Sequence, residues 1–247
     1  MTSPTVCCVM LANGREAMVR RAAWAFRAQT YQQKWLVIFD SGEPYLNIRG
    51  DPSIIHVDAH RFAGQSIGSL RNAANTLCST DIIAHFDSDD FSAPERLTEQ
   101  VALLQSSGAD AVGYNRMLFW REPEAVRHDY DSAIELMRRV QDYPEGFDPD
   151  VGQAWLYANG NPRYALGTSL CYWRQAWEAK PFRDLNTGED MFWELGLNVK
   201  GVDSVGAEPR MIASIHGGNT TARITPGVAE WKRAPEWDEY VRRVMAP

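Results

Sequence analysis

Short apolar runs alternate with stretches of helical spacing along the first half of this chain. Val6 to Leu11 read as a strand closed by the turn Asn13-Gly14-Arg15, and Glu16 to Ala28 carry Val19, Ala23 and Phe26 on one helical face. Trp35 to Phe39 form the next apolar run and end in Asp40-Ser41-Gly42; Ile54 to Val57 form another short one. Gln65 to Leu77 place Ile67, Leu70, Ala74 and Leu77 on one face, as a helix does. Ile82 to Phe86 predict a buried strand, Pro94 to Leu104 a helix and Ala111 to Tyr114 a strand. Strand and helix alternating with short connections predict an α/β fold, a parallel sheet with helices on both sides.

Beyond Asn115 the pattern changes. From Arg116 to Arg163 proline, tyrosine and mixed charge dominate, as in Asp142-Tyr143-Pro144-Glu145-Gly146-Phe147-Asp148-Pro149, and only Ser132 to Val140 has helical spacing. This stretch reads as an insertion that either shapes a second binding pocket or makes a surface excursion. Leu166 to Trp173 then predict a strand, Arg174 to Ala179 a short helix, Glu189 to Leu197 a second helix and Met211 to Ile215 a strand leading into His216-Gly217-Gly218-Asn219. From Val228 onward, Trp231, Trp237, Tyr240 and Val244 outline an amphipathic helix. Its Lys232, Arg233, Arg242 and Arg243 suit a solvated face or a contact with an anionic partner. The expected divisions are 1–115, a second half of the same domain over 116–227, and a helical tail over 228–247.

Composition narrows the class. The 247 residues, 45% hydrophobic and 23% charged, are enough for a substantial core. Twenty-five basic against 32 acidic residues give a net charge of −7, no general reason to expect nucleic acid or an acidic membrane as partner. No apolar stretch approaches the roughly 20 residues that span a bilayer. Met1-Thr2-Ser3-Pro4-Thr5 lacks a basic leader, and Cys7, Cys8, Cys78 and Cys171 lack CxxC spacing. The expectation is a cytoplasmic protein with reduced cysteines.

The candidate chemistry sits where the strand Ile82–Phe86 ends in Asp87-Ser88-Asp89-Asp90. Ligands of open α/β sheets bind beyond the carboxyl ends of the strands, and three crowded carboxylates there call for a cation. Oxygen ligands suit Mg2+ or Mn2+ completed by substrate phosphates. The same acids also suit a helix start, because Ser92-Ala93-Pro94-Glu95 has the form of a capping box. No Gly-x-Gly-x-x-Gly follows the first strand and no P-loop signature occurs, so dinucleotide and P-loop chemistry lose their main support.

Several motifs in order resemble the family 2 glycosyltransferases of the GT-A fold. Ser69-Leu70-Arg71-Asn72-Ala73-Ala74, the Asp87-Ser88-Asp89-Asp90 strand end and Pro94-Glu95-Arg96-Leu97 are similar to the family's Arg-Asn helix and Asp-x-Asp strand. Gln29-Thr30-Tyr31, Asp40-Ser41-Gly42, Gly188-Glu189-Asp190 and His216-Gly217-Gly218-Asn219 resemble further family positions, while Leu11-Ala12-Asn13-Gly14 replaces the usual Pro-Thr-Tyr-Asn.

The resemblance implies a GT-A-like, Rossmann-like, mostly parallel sheet flanked by helices, with an acceptor-side insertion. Residues 1–115 would bind the nucleotide sugar, and 116–227 would carry the acceptor and catalytic half. It implies a metal-dependent inverting glycosyltransferase, with Mn2+ or Mg2+ on Asp89 and His216. Asp190 would be the general base, with Glu189 beside it holding the acceptor. Asp87 would bind the nucleotide ribose or a metal-bound water, with Ser88 also on the donor. Arg71 would pair with the diphosphate or with Asp40 or Asp87, and Asp90 would serve behind the metal or as a cap. Asp40 would accept from a pyrimidine imide, favouring a UDP-sugar, or close an Asx-turn with Ser41-Gly42. Trp155, Trp173 and Trp193 are sugar-stacking or core residues. The partners would be a nucleotide-sugar donor and a hydroxyl acceptor on a glycan, lipid-linked sugar, protein or modified nucleobase. A sugar-1-phosphate nucleotidyltransferase and a non-catalytic nucleotide-sugar or glycan-binding module are the alternatives. Release of pyrophosphate would mark the first, and ligand binding without turnover the second.

Overall fold

The computed structural model describes residues 3–42, 50–123, 151–217, 219 and 229–245. Its first half is a parallel sheet formed by β1 (Val6–Ala12), β2 (Lys34–Asp40), β3 (Ile54–Asp58) and β4 (Ile82–His85), in the spatial order β3-β2-β1-β4. β1 is apolar at nearly every position because it is covered on both faces. Cys8 and Met10 face one side, where α1 (Glu16–Arg27) delivers Val19, Ala23 and Phe26 and α3 (Arg96–Ser107) delivers Leu97, Val101 and Leu104. Cys7 and Val9 face the other, under Leu70 and Ala74 of α2 (Ile67–Asn75). The chain winds one way from β1 to β2 and β3, then returns to the far side of β1 as β4. The acidic loop therefore emerges at the switch point between β1 and β4, where α/β sheets open a crevice.

The second half of the sheet is mixed. β4 pairs antiparallel with β8 (Cys171–Trp173), which pairs antiparallel with β6 (Ala111–Arg121). β6 is the organising strand. It carries β7 (Gln153–Ala158) antiparallel along one side, and β9 (Val199–Asp203) and then β10 (Met211–Ile215) parallel along the other. The register shifts between Tyr114 and Arg116, where β9 gives way. β5 (Phe91–Ser92) pairs with β10, and β11 (Trp231–Arg233) with β7. The alternating faces of β6 build two small cores. One holds Tyr114, Met117 and Phe119; the other holds Leu118 and Trp120 beneath Val241 and Met245 of the terminal helix α6 (Asp238–Met245). The remaining helices are α4 (Arg174–Ala179) and α5 (Glu189–Glu194). Among the described residues, no helix is long and apolar enough to cross a membrane.

Several sequence expectations need correction. Leu166–Trp173 is a 3-10 turn over Gly167–Ser169 followed by the three-residue β8, and the strand expected at Ala111–Tyr114 runs on to Arg121. The amphipathic tail is a strand first and a helix only from Asp238. The capping box at Ser92–Glu95 does not form. α3 starts at Arg96 without a side-chain cap, and Ser92 Oγ accepts from Arg96 Nη1 at 2.8 Å instead. The helix expected at Ser132–Val140, the core of the insertion, lies outside the described residues.

Candidate active site

β4 delivers the acidic loop. Phe86 N still donates to Val9 O at 2.9 Å, after which the backbone leaves the sheet and the three aspartates diverge. Asp89 Oδ2 lies 2.9 Å from His216 Nε2 and 3.4 Å from Asn219 Nδ2, both from the segment that follows β10. The loop is held from behind by Arg21 of α1, whose Nη2 donates to Asp89 O at 2.7 Å and whose Nη1 donates to Met245 O at 2.6 Å. Asp90 turns into the protein and accepts from Thr168 Oγ1 and, at 3.0 Å, from Ser214 N. Burial raises its pKa well above the usual carboxylate range, and Asp89 and Asp87 push it further. Asp90 thus joins three chain segments and caps no helix.

Asp87 and Glu189 meet across Arg71. The guanidinium, on α2 and almost fully buried, lies 3.5 Å from Asp87 Oδ1 and 3.5 Å from Glu189 Oε1. Burial, the largest single influence, pushes the Asp87 carboxyl up, but the charge of Arg71, His85, and hydrogen bonds from Thr168 and Arg71 together hold it below its ordinary value. For Glu189 burial wins. Its pKa is raised despite Arg71, with Asp190 adding to the rise.

Gly188, in the left-handed region at φ 76°, is the N-cap of α5. The next two residues, Glu189 and Asp190, turn into the cleft. Asp190 Oδ1 accepts from its neighbour Met191 N at 2.8 Å. Oδ2 packs on Gly167 so closely that a Cβ at Gly167 would lie 1.7 Å from it. One turn later on α5, Glu194 is buried, and its pKa is pushed up to about 8, first by burial and then by Asp190.

These elements enclose a cleft of about 790 Å³ including its open mouth. Arg71, Asp87, Ser88, Asp89, Glu189 and Asp190 all line it, so six of the sequence-predicted site residues converge, with His216 touching Asp89 from the side. Asp40 does not line it. At the end of β2 its Oδ1 accepts from Gly42 N at 3.1 Å, the Asx-turn alternative, and from Gly14 N at 3.4 Å. Its buried Oδ2 has no hydrogen-bond partner and lies 3.6 Å from His56 Nε2. Trp193 is a core residue, stacked among Tyr172 and Phe182, with Nε1 donating to Lys180 O at 2.6 Å. Trp155 and Trp173 are half-buried against the cores.

Sequence reasoning missed Arg15, Thr168 and Asn186 in the lining and Arg21 behind it. The position of Arg15 at the carboxyl end of β1 was the available signal. Among the described residues, no group of three or more His, Cys, Asp or Glu side chains is placed to hold a metal ion.

The model of glycosyl transferase family 2 matches residues 7–157, more than half the chain. No curated protein matches the sequence. Among solved structures, S. aureus TarS 1–349 in complex with UDP-GlcNAc superposes with a TM-score of 0.61 at 13% identity, covering 97% of this chain and 65% of that one. Its complex with UDP gives 0.59 at 14%, covering 85% and 60%. The mannosyltransferase PcManGT from Pyrobaculum calidifontis, in complex with GDP-Man and Mn2+, gives 0.56 at 13%, covering 93% and 59%. The chain spans 59–65% of the length of these three, and at such identities the likeness is one of fold, the GT-A fold. With the family match over residues 7–157, the chain belongs to glycosyl transferase family 2.

Proposed function

We propose that this protein transfers a sugar from a nucleoside-diphosphate donor, a UDP-sugar, to a hydroxyl acceptor, with inversion and with Mn2+ or Mg2+. One observation carries the reading: Asp89, which His216 Nε2 meets at 2.9 Å to make a cation-suited corner, lines the same cleft as the paired acids Glu189 and Asp190. The nucleotide sugars named in the TarS and PcManGT structures support the same donor class.

Asp89 Oδ2 and His216 Nε2 would hold the ion. Their 2.9 Å separation matches neighbouring ligands of an octahedral shell at 2.0–2.1 Å, which lie about 3 Å apart. Two protein ligands suit an ion whose remaining positions go to water and donor phosphate. When bound, it supplies Lewis-acid neutralisation of the departing diphosphate.

Asp190 serves as base. Its carboxylate accepts the acceptor's hydroxyl proton as that oxygen bonds to the anomeric carbon, and the bond from that carbon to the diphosphate breaks on the opposite face. Glu189, fixed by Arg71, accepts a hydrogen bond from a second acceptor group. Asp87 and Ser88 contact the donor's ribose and phosphate side. The resemblance assigns a pyrimidine imide N–H, and so uracil, to Asp40. Its buried Oδ2, 3.6 Å from His56 Nε2 and outside the cleft lining, would have to leave that neighbour to accept it. In this scheme 1–115 is the donor half, 116–227 the acceptor and catalytic half, and 228–247 a supporting tail.

The test is turnover of UDP-sugars, read as donor hydrolysis or transfer, together with UDP binding. Asp190→Asn should nearly abolish turnover and keep UDP affinity. Asp89→Ala should lose both turnover and the metal dependence of UDP binding. Wild-type turnover in both variants would refute the assignment.

A further inference from the structure

Arg15 points at the same two atoms that would hold the cation. It sits at the start of α1, immediately after the β1 turn, and its side chain is 32% exposed. Its Nη1 lies 3.1 Å from His216 Nε2 and 3.4 Å from Asp89 Oδ2. A guanidinium only donates hydrogen bonds, so it engages these atoms through the lone pairs a metal would need. One ring nitrogen cannot accept from Arg15 and donate to Asp89 at once, so the three groups already contest a single corner. A divalent ion bound there would also face the full positive charge of Arg15 at close range.

The remaining geometry shows where Arg15 can go. Among the described residues, two arginines line the cleft, Arg15 and Arg71. Arg71 is fixed between Asp87 and Glu189, with 7% of its side chain exposed. Arg21 is committed to two backbone carbonyls. Among the described residues, Arg15 is therefore the cleft arginine with solvent access and no second anchor of this kind. A diphosphate is the ligand best suited to its planar fork of donors, and its charge can neutralise an ion and a guanidinium side by side.

We propose that Arg15 is a diphosphate-positioning residue that competes with the metal for Asp89 and His216 and is drawn off them by the donor's diphosphate, so that metal and donor bind cooperatively. This rests on the donor-site reading above, and the experiment separates the two. Mn2+ binding to the full chain is measured by the loss of the free-ion spin-resonance signal, without nucleotide and with saturating UDP or GDP. Nucleotide binding is measured by calorimetry at fixed Mn2+. The variants are Arg15→Gln and Arg20→Gln. The second makes the same charge change on the exposed face of α1, where Arg20 pairs with Glu16, and so reports long-range charge alone.

Relative to Arg20→Gln, Arg15→Gln should bind Mn2+ alone on the order of tenfold more tightly and the nucleotide on the order of tenfold more weakly. The factor by which nucleotide tightens Mn2+ should shrink accordingly, because coupling is reciprocal. If wild-type protein binds UDP or GDP and Arg15→Gln matches Arg20→Gln in either measurement, the proposed exchange is wrong while the donor site stands. If wild-type protein binds neither nucleotide with Mn2+, the donor-site reading fails and this inference fails with it.

Discussion

Replacing Gly167 by alanine tests whether the position of Asp190, and not merely its presence, matters. Gly167 lies in the 3-10 turn before β8, its φ is not in the left-handed region, and alanine there meets no backbone objection. The obstacle is the carboxylate. The added methyl would stand 1.7 Å from Asp190 Oδ2, 2.5 Å from Cγ and 2.7 Å from Cβ. Ordinary contact begins near 3.4 Å, so the oxygen must retreat by about 1.7 Å. Asp190 is half-buried at the cleft wall, so a rotamer change can clear Oδ2 and Cγ. Cβ is fixed by the backbone, so the start of α5 must also give by a few tenths of an ångström, the two together costing about 1–2 kcal/mol with the fold kept. Misplacing a reacting group by 1 Å or more costs about 100-fold in rate. Gly167→Ala should therefore lose about two orders of magnitude in kcat for donor hydrolysis or transfer. Its affinity for UDP in Mn2+ should be unchanged, because Asp89 and His216 are untouched, and its melting temperature should fall by only a few degrees. A variant that turns over at the wild-type rate would show that Asp190 does not act from the place it occupies.

Arg71→Met would leave the carboxylates of Asp87 and Glu189 facing one another across the buried space of the lost guanidinium. It should lower unfolding free energy by about 3 kcal/mol in a urea titration, and a stability within 0.5 kcal/mol of wild type would refute the pairing. Glu194 gives a pH signature of definite sign. Its folded pKa of about 8 lies above its ordinary value of 4.5, so the folded chain holds a proton that the unfolded chain releases. Stability should then fall as pH rises from 4.5 towards 8, at a limiting slope of about 1.4 kcal/mol per pH unit. Glu194→Gln keeps an acceptor for Ala165 N and should match wild type near pH 5 while melting higher at pH 8.5. Equal melting-temperature differences at the two pH values would remove Glu194 as the cause.

The parallel half of the fold was legible because its strands β1, β2 and β4 are largely buried on both faces and each helix has one apolar face. Hydrophobic pattern reports those properties directly. β6 was underread because Asn115 and Arg116 interrupt its apolar run at the register shift. Only its neighbours β7, β9 and β10, far apart in the chain, carry the strand through. Leu166–Trp173 is uniformly apolar enough for a strand, yet Gly167 packs on Asp190 and Thr168 binds Asp90, contacts that bend it into a turn.

At the site, Asp87, Ser88, Asp89, Arg71, Glu189 and Asp190 were found because each belongs to a short motif. Thr168, Arg15 and Arg21 belong to none, and their roles come from where the folded chain places the ends of long or small side chains. Trp193 shows the converse: an aromatic next to an acidic motif invites a ligand role, but α5 turns it inward and the core claims it.

Asp89 and His216 stand 127 residues apart in the chain, and the strands that carry them, β4 and β10, never pair with each other. Arg21 adds a third remote link, tying the carbonyl of Asp89 to that of Met245. During synthesis, the parallel half, complete by Ser107, can settle while more than half the chain has yet to be made, displaying its aspartates without their partners. In the proposed scheme the metal corner would be complete only once the segment after β10 has docked and brought His216 to Asp89. In that scheme a product truncated before β10 would lack His216 and should bind neither the ion nor the donor as the longer chain does.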